Sequence, residues 1–356
     1  MSNVYKCKYV INGRQLSGQM GGVQRYLRET LSELDKISEK GEVLVAVPKN
    51  ASDIPEYENI KILRFGLFGG ILWEQLDYAL FLVKNHLKGV NLCTAVPLLY
   101  PKGINAIHDV MPIRYPEVRK AFKPWNYLLL KMNYYMATKG ADRVITVSET
   151  SKADIVHFYK VPAEKIDVIP NAWQHMDRVK PVRFDGEYAA PGKYYLGLSS
   201  RRWQKNFKWI EEVARRNPDA EFVIVGGQDT QQNLGNTEEG TDPVKNVHYT
   251  GFRGDGEIKW LYSNCKAFLF PSICEGFGIP PIEALSCGAN LIVSNTSCMP
   301  EIIGNAGVYI DPYDYDVDIE KLNEECGRIS EDSKKETLGR YSWEKSAILL
   351  RNLIRN

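Results

Sequence analysis

The sequence predicts an α/β protein of two domains, each built on a parallel sheet covered on both faces by helices. Three observations carry that reading. Short apolar runs alternate with helical patterns along the whole chain, the arrangement of repeated β-α-β units. The alternation restarts after residues 173–192, which keep neither a helical nor a strand period and hold several turn residues. At 356 residues the chain exceeds one ordinary core and suits two of middling size. The expected domains are residues 1–172 and 173–340.

The first series opens with a strand at Tyr5–Ile11, turns through Gly18-Gln-Met-Gly21-Gly22 and enters an amphipathic helix around Gln24–Leu34. Strands follow at Val43–Val47 and Ile60–Arg64, then a helix near Trp73–Leu87, a strand at Asn105–His108, a long helix at Trp125–Lys139 and a strand at Arg143–Val147. Ser148 then caps a helix running to Tyr159, and Ile166-Asp-Val-Ile-Pro-Asn171 closes the series. The second series begins at Tyr194–Ser199 and continues with a helix at Phe207–Arg216, strands at Glu221–Val225 and Asn246–Thr250, and a helix at Glu257–Cys265. Between those two strands, residues 229–245 are polar and read as a surface loop. The apolar run Ala267–Pro271 reads as a buried strand. A Gly/Pro turn leads from it into a helix that Pro280-Pro281 suit at its first turn and Gly288 closes. Leu291–Ser294 is another strand, Pro300–Gly304 begins the next unit, and the tail is an amphipathic helix starting at Ser342.

Composition narrows the function. With 45 basic and 44 acidic residues the net charge is +1, which argues against a general nucleic-acid binder. No apolar stretch reaches the roughly 18–20 residues that span a bilayer, and the first residues lack a secretory apolar core, so a cytoplasmic location is expected. Seven cysteines form no C-x-x-C pair and are expected to be reduced, Cys274 included. The five histidines are scattered, so no tightly held metal is expected.

The most informative segment is Glu275-Gly-Phe-Gly-Ile-Pro-Pro-Ile-Glu283. It sets one carboxylate in a loop beside glycine N–H groups and a second in the opening turn of a helix. Such a place can hold a ligand rich in hydroxyls and phosphate, although a dipole-complementing acid and a solvated loop acid would look the same. Arg201-Arg202-Trp-Gln-Lys205-Asn206 follows the first strand of the second series, at the carboxyl end of the sheet, and can neutralise phosphate or be a solvated basic loop. Gly21 and Gly22 fall in the first β-α turn, where a missing Cβ lets backbone N–H groups approach a phosphate. His108 ends a strand, and Asp109 orients it or caps a turn. Residues 114–139 interleave Arg119, Lys120, Lys123, Lys131 and Lys139 with Phe122, Trp125, Tyr127, Tyr134 and Tyr135. That pattern suits either contact with an anionic membrane or core aromatics flanked by snorkelling lysines.

In this order, the Gly-Gly turn, Ile-His-Asp, Ile-Thr-Val-Ser-Glu, Ile-Asp-Val-Ile-Pro-Asn, Arg-x3-Lys-Asn, Val-His-Tyr-Thr-Gly-Phe, the Pro271-Ser272 to Glu283 block and Pro-Glu resemble the retaining glycosyltransferases of the GT-B fold, family 4. The resemblance covers nearly the whole chain and is most specific from Pro271 to Glu283. It implies two facing Rossmann-like domains with an interdomain cleft, a donor held mainly by the second domain, and a last helix, 341–356, packing back on the first. It implies that Glu275 holds the donor hexose and Glu283 the ribose hydroxyls. Arg201 and Lys205 would bind the pyrophosphate, with Arg202 as the alternative to Arg201 because the spacing departs slightly from the family's. The loop Gly276 to Ile279 would meet sugar or phosphate through the N–H groups of Phe277, Gly278 and Ile279. Gly21, Gly22 and Asp109 would lie on the donor side, with His108 beside the transferred sugar. Ala172 stands where the family often has glycine.

The activity implied is hexosyl transfer from a nucleotide-diphosphate sugar to a glycan or lipid-linked saccharide, as in polysaccharide biosynthesis, with no cofactor or metal required. GDP-mannose is expected ahead of a UDP-hexose or dTDP-rhamnose, and peripheral contact with the inner face of the membrane stays open. Two other readings share the fold: a catalytically inactive nucleotide- or glycan-binding subunit, and a sugar-nucleotide epimerase.

Overall fold

The computed structural model describes residues 7–18, 20–198, 202–226 and 244–355. The chain divides into two compact units, Met1–Asn171 together with Trp343–Asn356, and Ala172–Ser342. The strand expected at Tyr5–Ile11 begins outside the described residues, and most of the loop expected at 229–245 lies outside them.

Seven parallel strands build the first unit: β1 Tyr9–Asn12, β2 Leu44–Pro48, β3 Lys61–Phe65, β4 Lys88–Asn91, β5 Gly103–Ala106, β6 Arg143–Thr146 and β7 Ile166–Val168. Their order is β3-β2-β1-β4-β5-β6-β7, so the chain reverses its direction of winding between β1 and β4. β1 and β2 are buried along their whole lengths, as strands covered by helices on both faces must be. The helix Gly22–Ile37 lays Tyr26, Leu27, Thr30, Leu31 and Leu34 inward at helical spacing. β4, Lys-Gly-Val-Asn, carries a single large apolar residue, which is why it is inconspicuous in the sequence. Its pairing with β5 depends on glycine: at Gly103, φ is +121° and an added Cβ would lie 2.0 Å from the Gly89 carbonyl oxygen. The helix expected near Trp73–Leu87 runs from Gly70 to Lys84 and contains a π-helical stretch, Trp73–Tyr78.

The closing helix, Trp343–Arg355, belongs to this unit and packs against Gly22–Ile37. Trp343, Ala347 and Leu350 are fully buried, and the Trp343 ring meets Tyr26 edge-on at 6.1 Å. Ser346 Oγ donates to the Pro170 carbonyl at 2.7 Å. Arg351 Nη2 and Arg355 Nε hold the Glu42 carboxylate at 2.8 and 2.6 Å.

The second unit has six parallel strands: β8 Tyr194–Leu198, β9 Glu221–Val225, β10 Val247–Gly251, β11 Ala267–Phe270, β12 Leu291–Ser294 and β13 Val308–Ile310. Their order is β10-β9-β8-β11-β12-β13, which repeats the plan of the first sheet and places the reversal between β8 and β11. Tyr195, Trp209, Phe222, Leu269 and Ile292 are among the side chains of its core. Both units are therefore Rossmann-like, and in such sheets ligands bind outside the carboxyl ends of the strands at the reversal.

Candidate active site

In the second unit, the segments that follow β8 and β11 meet at this reversal. Residues 203–205 form a 3₁₀ turn, and Asn206 follows in the left-handed region with φ 52°. The Asn206 amide donates to the Pro271 carbonyl at 3.1 Å and to the Pro312 carbonyl at 2.7 Å, and Ile273 N donates to the Gln204 carbonyl at 2.8 Å. These bonds bind the basic turn to the end of β11 and bring its lysine to the loop acid. Lys205 Nζ lies 2.6 Å from Glu275 Oε1, with the two side chains 19% and 9% exposed, and 5.5 Å from the centre of the Phe270 ring. Arg202 is exposed at the start of the turn. Arg201 lies outside the described residues.

The Glu275 loop is fixed from the β12 side. Glu275 N donates to Ser297 Oγ at 3.1 Å, Ser297 Oγ donates to the Glu275 carbonyl at 2.8 Å, and Thr296 Oγ1 donates to the Ile273 carbonyl at 3.0 Å. Gly276, Phe277 and Gly278 are buried, and the Phe277 ring packs edge-on against Tyr341 at 5.2 Å. Gly278 is the N-cap of the helix Ile279–Ser286 with φ +81°, where an added Cβ would lie 2.5 Å from Met299 Cε. Pro280 and Pro281 carry no N–H, so the N–H groups that this helix end can offer an anion are those of Gly278 and Ile279.

One expectation is corrected. Glu283 is not in the opening turn of its helix, which holds no acid, but in the second turn, four residues after Ile279. The helix begins at Ile279, so Pro280 and Pro281 occupy its opening turn and Glu283 falls one turn later, where it is buried. Glu283 Oε1 accepts from His175 Nε2 at 2.7 Å, and Glu283 Oε2 accepts from Tyr262 Oη at 3.4 Å. His175 sits in the short helix His175–Arg178, inside the stretch whose sequence has no clear period. Sequence reasoning missed it: 108 positions separate the partners, and the one available signal was a histidine flanked by Trp173 and Met176 in an otherwise polar stretch.

In the first unit, Gly21 and Gly22 are exposed at the start of the helix Gly22–Ile37, Gly21 serving as its N-cap in extended geometry. They lie between the end of β1 and a 16-residue helix, on the carboxyl side of the sheet. His108 follows β5 by two residues and is buried. Its Nε2 is 2.8 Å from the Leu92 carbonyl, which can only accept, so Nε2 carries the hydrogen and Nδ1 is the acceptor. Burial lowers its pKa below the ordinary 6.5, against a smaller opposite effect of that bond, and keeps the ring neutral. Asp109 Oδ1 accepts from Met111 N at 3.0 Å, the turn-capping role open to it.

A further polar chain, also missed in the sequence, crosses the carboxyl end of this sheet. Asn12, Asn91 and Asn105 stand side by side on β1, β4 and β5, linked from Asn12 to Asn91 at 3.1 Å and from Asn91 to Asn105 at 2.8 Å. Asn12 also donates to Glu74 Oε2 at 3.0 Å, and Arg14 Nε pairs with the same oxygen at 2.9 Å. Glu74 lies in the π-helical stretch, a distortion often found at functional sites. Its signal was a carboxylate inside the apolar run Ile71-Leu-Trp-Glu74. Among the described residues no group of three or more His, Cys, Asp or Glu is placed to hold a metal ion.

Comparison with known proteins adds to this geometry. Residues 20–173 match the model of Glycosyltransferase Family 4, and residues 184–341 that of Glycosyl transferases group 1. The O-antigen chain mannosyltransferase RfbU of Salmonella typhimurium is 30% identical over 292 residues, 79% of this chain and 75% of RfbU. The serotype-specific mannosyltransferase WbdA of Escherichia coli is 26% identical over 244 residues, 63% of this chain but only 29% of WbdA. Sucrose-phosphate synthase from Thermosynechococcus elongatus superposes with a TM-score of 0.74 at 18% identity, over 98% of both chains. The chain belongs to the family 4 glycosyltransferases of the GT-B fold and is a glycosyltransferase.

Proposed function

We propose that this glycosyltransferase moves a mannosyl group from a nucleotide-diphosphate sugar, GDP-mannose before a UDP-hexose or dTDP-rhamnose, onto a saccharide chain or lipid-linked saccharide, with retention of configuration and without a resident metal. The mannosyltransferase names of RfbU and WbdA support the sugar. The observation that carries the chemistry is the Lys205–Glu275 pair at the carboxyl ends of β8 and β11. An ammonium has three hydrogens, so Lys205 can keep one on Glu275 and direct others to a diphosphate. Glu275, held by that cation and by Ser297, is a fixed acceptor for hexose hydroxyls.

In the proposed step the bond from the sugar's C1 to the β-phosphate oxygen breaks while the acceptor oxygen bonds to C1 from the same face. The acceptor's proton passes to the departing phosphate. The protein's contribution is charge stabilisation on the leaving group by Lys205, the arginine of the 201–202 pair and the N–H groups at Ile279. His108, neutral and with Nδ1 as acceptor, suits a sugar hydroxyl and not a charged phosphate. Glu283 is assigned to the ribose, and Gly21 and Gly22 to the diphosphate.

Incubation with labelled GDP-mannose, UDP-hexoses and dTDP-rhamnose tests this. One donor is expected to be hydrolysed slowly, and transferred when a saccharide acceptor is added, giving an α-linkage by NMR. Glu275→Ala is expected to abolish turnover in a folded protein. Absence of turnover and nucleotide binding with every donor would overturn the reading, and isomerised donor without acceptor gain would favour an epimerase.

The helix Pro124–Lys139 supports peripheral membrane contact. Trp125, Leu128, Leu129, Met132 and Tyr135 form an exposed stripe at helical spacing, Trp125 being 67% exposed. Arg119, Lys120, Lys123, Lys131 and Lys139 are exposed around it, and residues 119–139 contain no acid. Tyr134 is instead a core residue, and Tyr127 is half-buried beneath Arg119 and Lys131. An apolar stripe inside a basic rim is the form of an interfacial helix.

A further inference from the structure

Arg14 and Glu74 form an ion pair in the first unit that the donor chemistry does not use. Arg14 follows β1 by two residues, at the carboxyl end of the sheet and beside the reversal between β1 and β4, where such sheets take ligands. Its Nε lies 2.9 Å from Glu74 Oε2, and the side chains are 15% and 3% exposed. The carboxylate is otherwise met by amides: Asn12 Nδ2 donates to Oε2 at 3.0 Å and Gln75 Nε2 to Oε1 at 3.3 Å. The Nη1 and Nη2 groups of Arg14 bond no described residue, since its side chain donates through Nε alone. At the partly exposed end of the side chain they form a planar donor fork.

The fork is held still from both sides. Arg14 N donates to Asn12 Oδ1 at 3.1 Å, Gly13 N to the Ala46 carbonyl at 2.7 Å and Leu16 N to the Gly13 carbonyl at 3.0 Å, so the turn that carries it extends the β1–β2 ladder. On the β4 side, Asn12 donates to Asn91 at 3.1 Å, and Gln75 donates to the Val96 carbonyl at 2.9 Å and accepts from Leu98 N at 2.8 Å. A buried ion pair brings little net stability compared with apolar side chains of the same volume. This one is better suited to aiming the guanidinium. Its charge is balanced by Glu74 and the pair's other side-chain partners are amides, a set suited to neutral oxygens. The Lys205 turn instead adds Arg202, and the helix end near it the N–H groups of Gly278 and Ile279, which suit phosphate.

We infer that Arg14 is an acceptor-recognition residue: its Nη1 and Nη2 groups donate to hydroxyl oxygens of the acceptor saccharide, and Glu74 is the positioning residue that orients them. The inference rests on the reading of the chain as a transferase acting on a saccharide. It goes beyond that reading by naming the atoms in the first unit that select the acceptor.

The test pairs variants with acceptors that lack one hydroxyl. The wild-type chain is given its donor with octyl glycosides of mannose, galactose, glucose, rhamnose and N-acetylglucosamine, and the one used best is carried forward with its monodeoxy forms. One deoxy form is expected to show a KM about tenfold above the parent glycoside in the wild type. Arg14→Lys returns a cation to Glu74 without the fork, and should raise the parent's KM about tenfold, to that of this deoxy form. Arg14→Met combined with Glu74→Gln leaves no buried carboxylate unpaired and should do the same. In both variants the calorimetric Kd for GDP or UDP, whichever the wild type binds more tightly, should stay within about twofold. A structural role would raise KM for parent and deoxy forms alike, so wild-type discrimination retained in both variants would overturn the inference. A nucleotide Kd weakened about tenfold would overturn it as well, by making Arg14 a phosphate ligand. If the wild type hydrolyses donor but transfers to none of the glycosides, the saccharide-acceptor reading itself falls and the inference with it. If it transfers and the variants discriminate as it does, only the role of Arg14 falls.

Discussion

Lys205 and Glu275 come from segments 70 positions apart, and each has an ordinary explanation by itself, as a solvated cation and a loop acid. What makes the pair chemically specific is its partial burial and the rigidity of its supports, Asn206 on one side and Ser297 on the other. Preorganised cations are effective because no reorientation is needed as charge develops on the leaving phosphate. Lys205→Ala is therefore expected to lower kcat about 10²- to 10³-fold, the usual loss when one such group is removed from an active site. Lys205→Arg should recover part of it, since the charge returns but the fork geometry does not fit a site shaped for a point charge. Single-turnover measurements at saturating donor would separate this from weaker binding, and an unchanged rate would remove Lys205 from the chemistry. The residues that meet here were legible because each ends a strand in a recognisable motif. The His175–Glu283 contact was not, because a hydrogen bond formed between elements 108 positions apart leaves no periodicity, and the helix begins at Ile279, one residue before the proline pair that marks its start in the sequence.

At the scale of elements, patterns that rest on burial were the legible ones. The helices Gly22–Ile37 and Phe207–Arg216 and the fully buried strands follow from apolar spacing, whereas β4 and the π-helical stretch do not. β4 is short and holds its place through the Gly89–Gly103 approach, a packing fact, and the π-helical stretch is stabilised by Glu74 reaching Asn12 and Arg14 on other elements. The closing helix is legible as amphipathic, but its electrostatic latch to Glu42 is a tertiary feature. The hydrogen bond from Arg351, helped by Arg355, holds the Glu42 pKa at about 2, below its ordinary 4.5. A depressed carboxylate pKa contributes stability that is complete above the unfolded value and lost as pH falls through the folded one. The latch should therefore be intact above pH 4.5 and lost between about 4.5 and 2. Glu42→Gln is expected to cost about 1 kcal/mol at pH 7, a modest amount because the pair is partly solvated. In urea titrations from pH 7 to pH 2.5, the difference between wild type and Glu42→Gln should shrink as pH drops through that window. A difference independent of pH would show that the arginines act by packing alone.

The molecule as a whole is nearly neutral, at +1, so any attraction to an anionic surface must come from the local distribution of charge and not from the total. Residues 119–139 concentrate five cations with no acid, around the apolar stripe of Trp125, Leu128, Leu129, Met132 and Tyr135. Exposed charges act over about one Debye length, ~8 Å at physiological ionic strength, so such a patch should work at contact and fade with salt. The stripe and the rim then make separable predictions. Co-sedimentation with vesicles containing anionic lipid should show binding that falls steeply between 50 and 500 mM salt, while vesicles of zwitterionic lipid alone should retain little protein. Replacing Lys120, Lys123 and Lys131 by glutamate should abolish binding to the anionic vesicles at every salt concentration. Trp125→Ser with Leu129→Ser should weaken it by about tenfold or more, because each buried apolar side chain contributes about 1.5–3 kcal/mol, and should leave the steepness of the salt dependence unchanged. None of these residues lies near Lys205, Glu275 or Glu283 in the chain, so the variants should bind GDP or UDP and hydrolyse donor as the wild type does. If transfer to a water-soluble saccharide persists in the glutamate variant while transfer to a lipid-linked acceptor in vesicles is lost, the helix serves delivery of the acceptor. If both persist, the membrane reading fails and the basic stripe is only a solvated face.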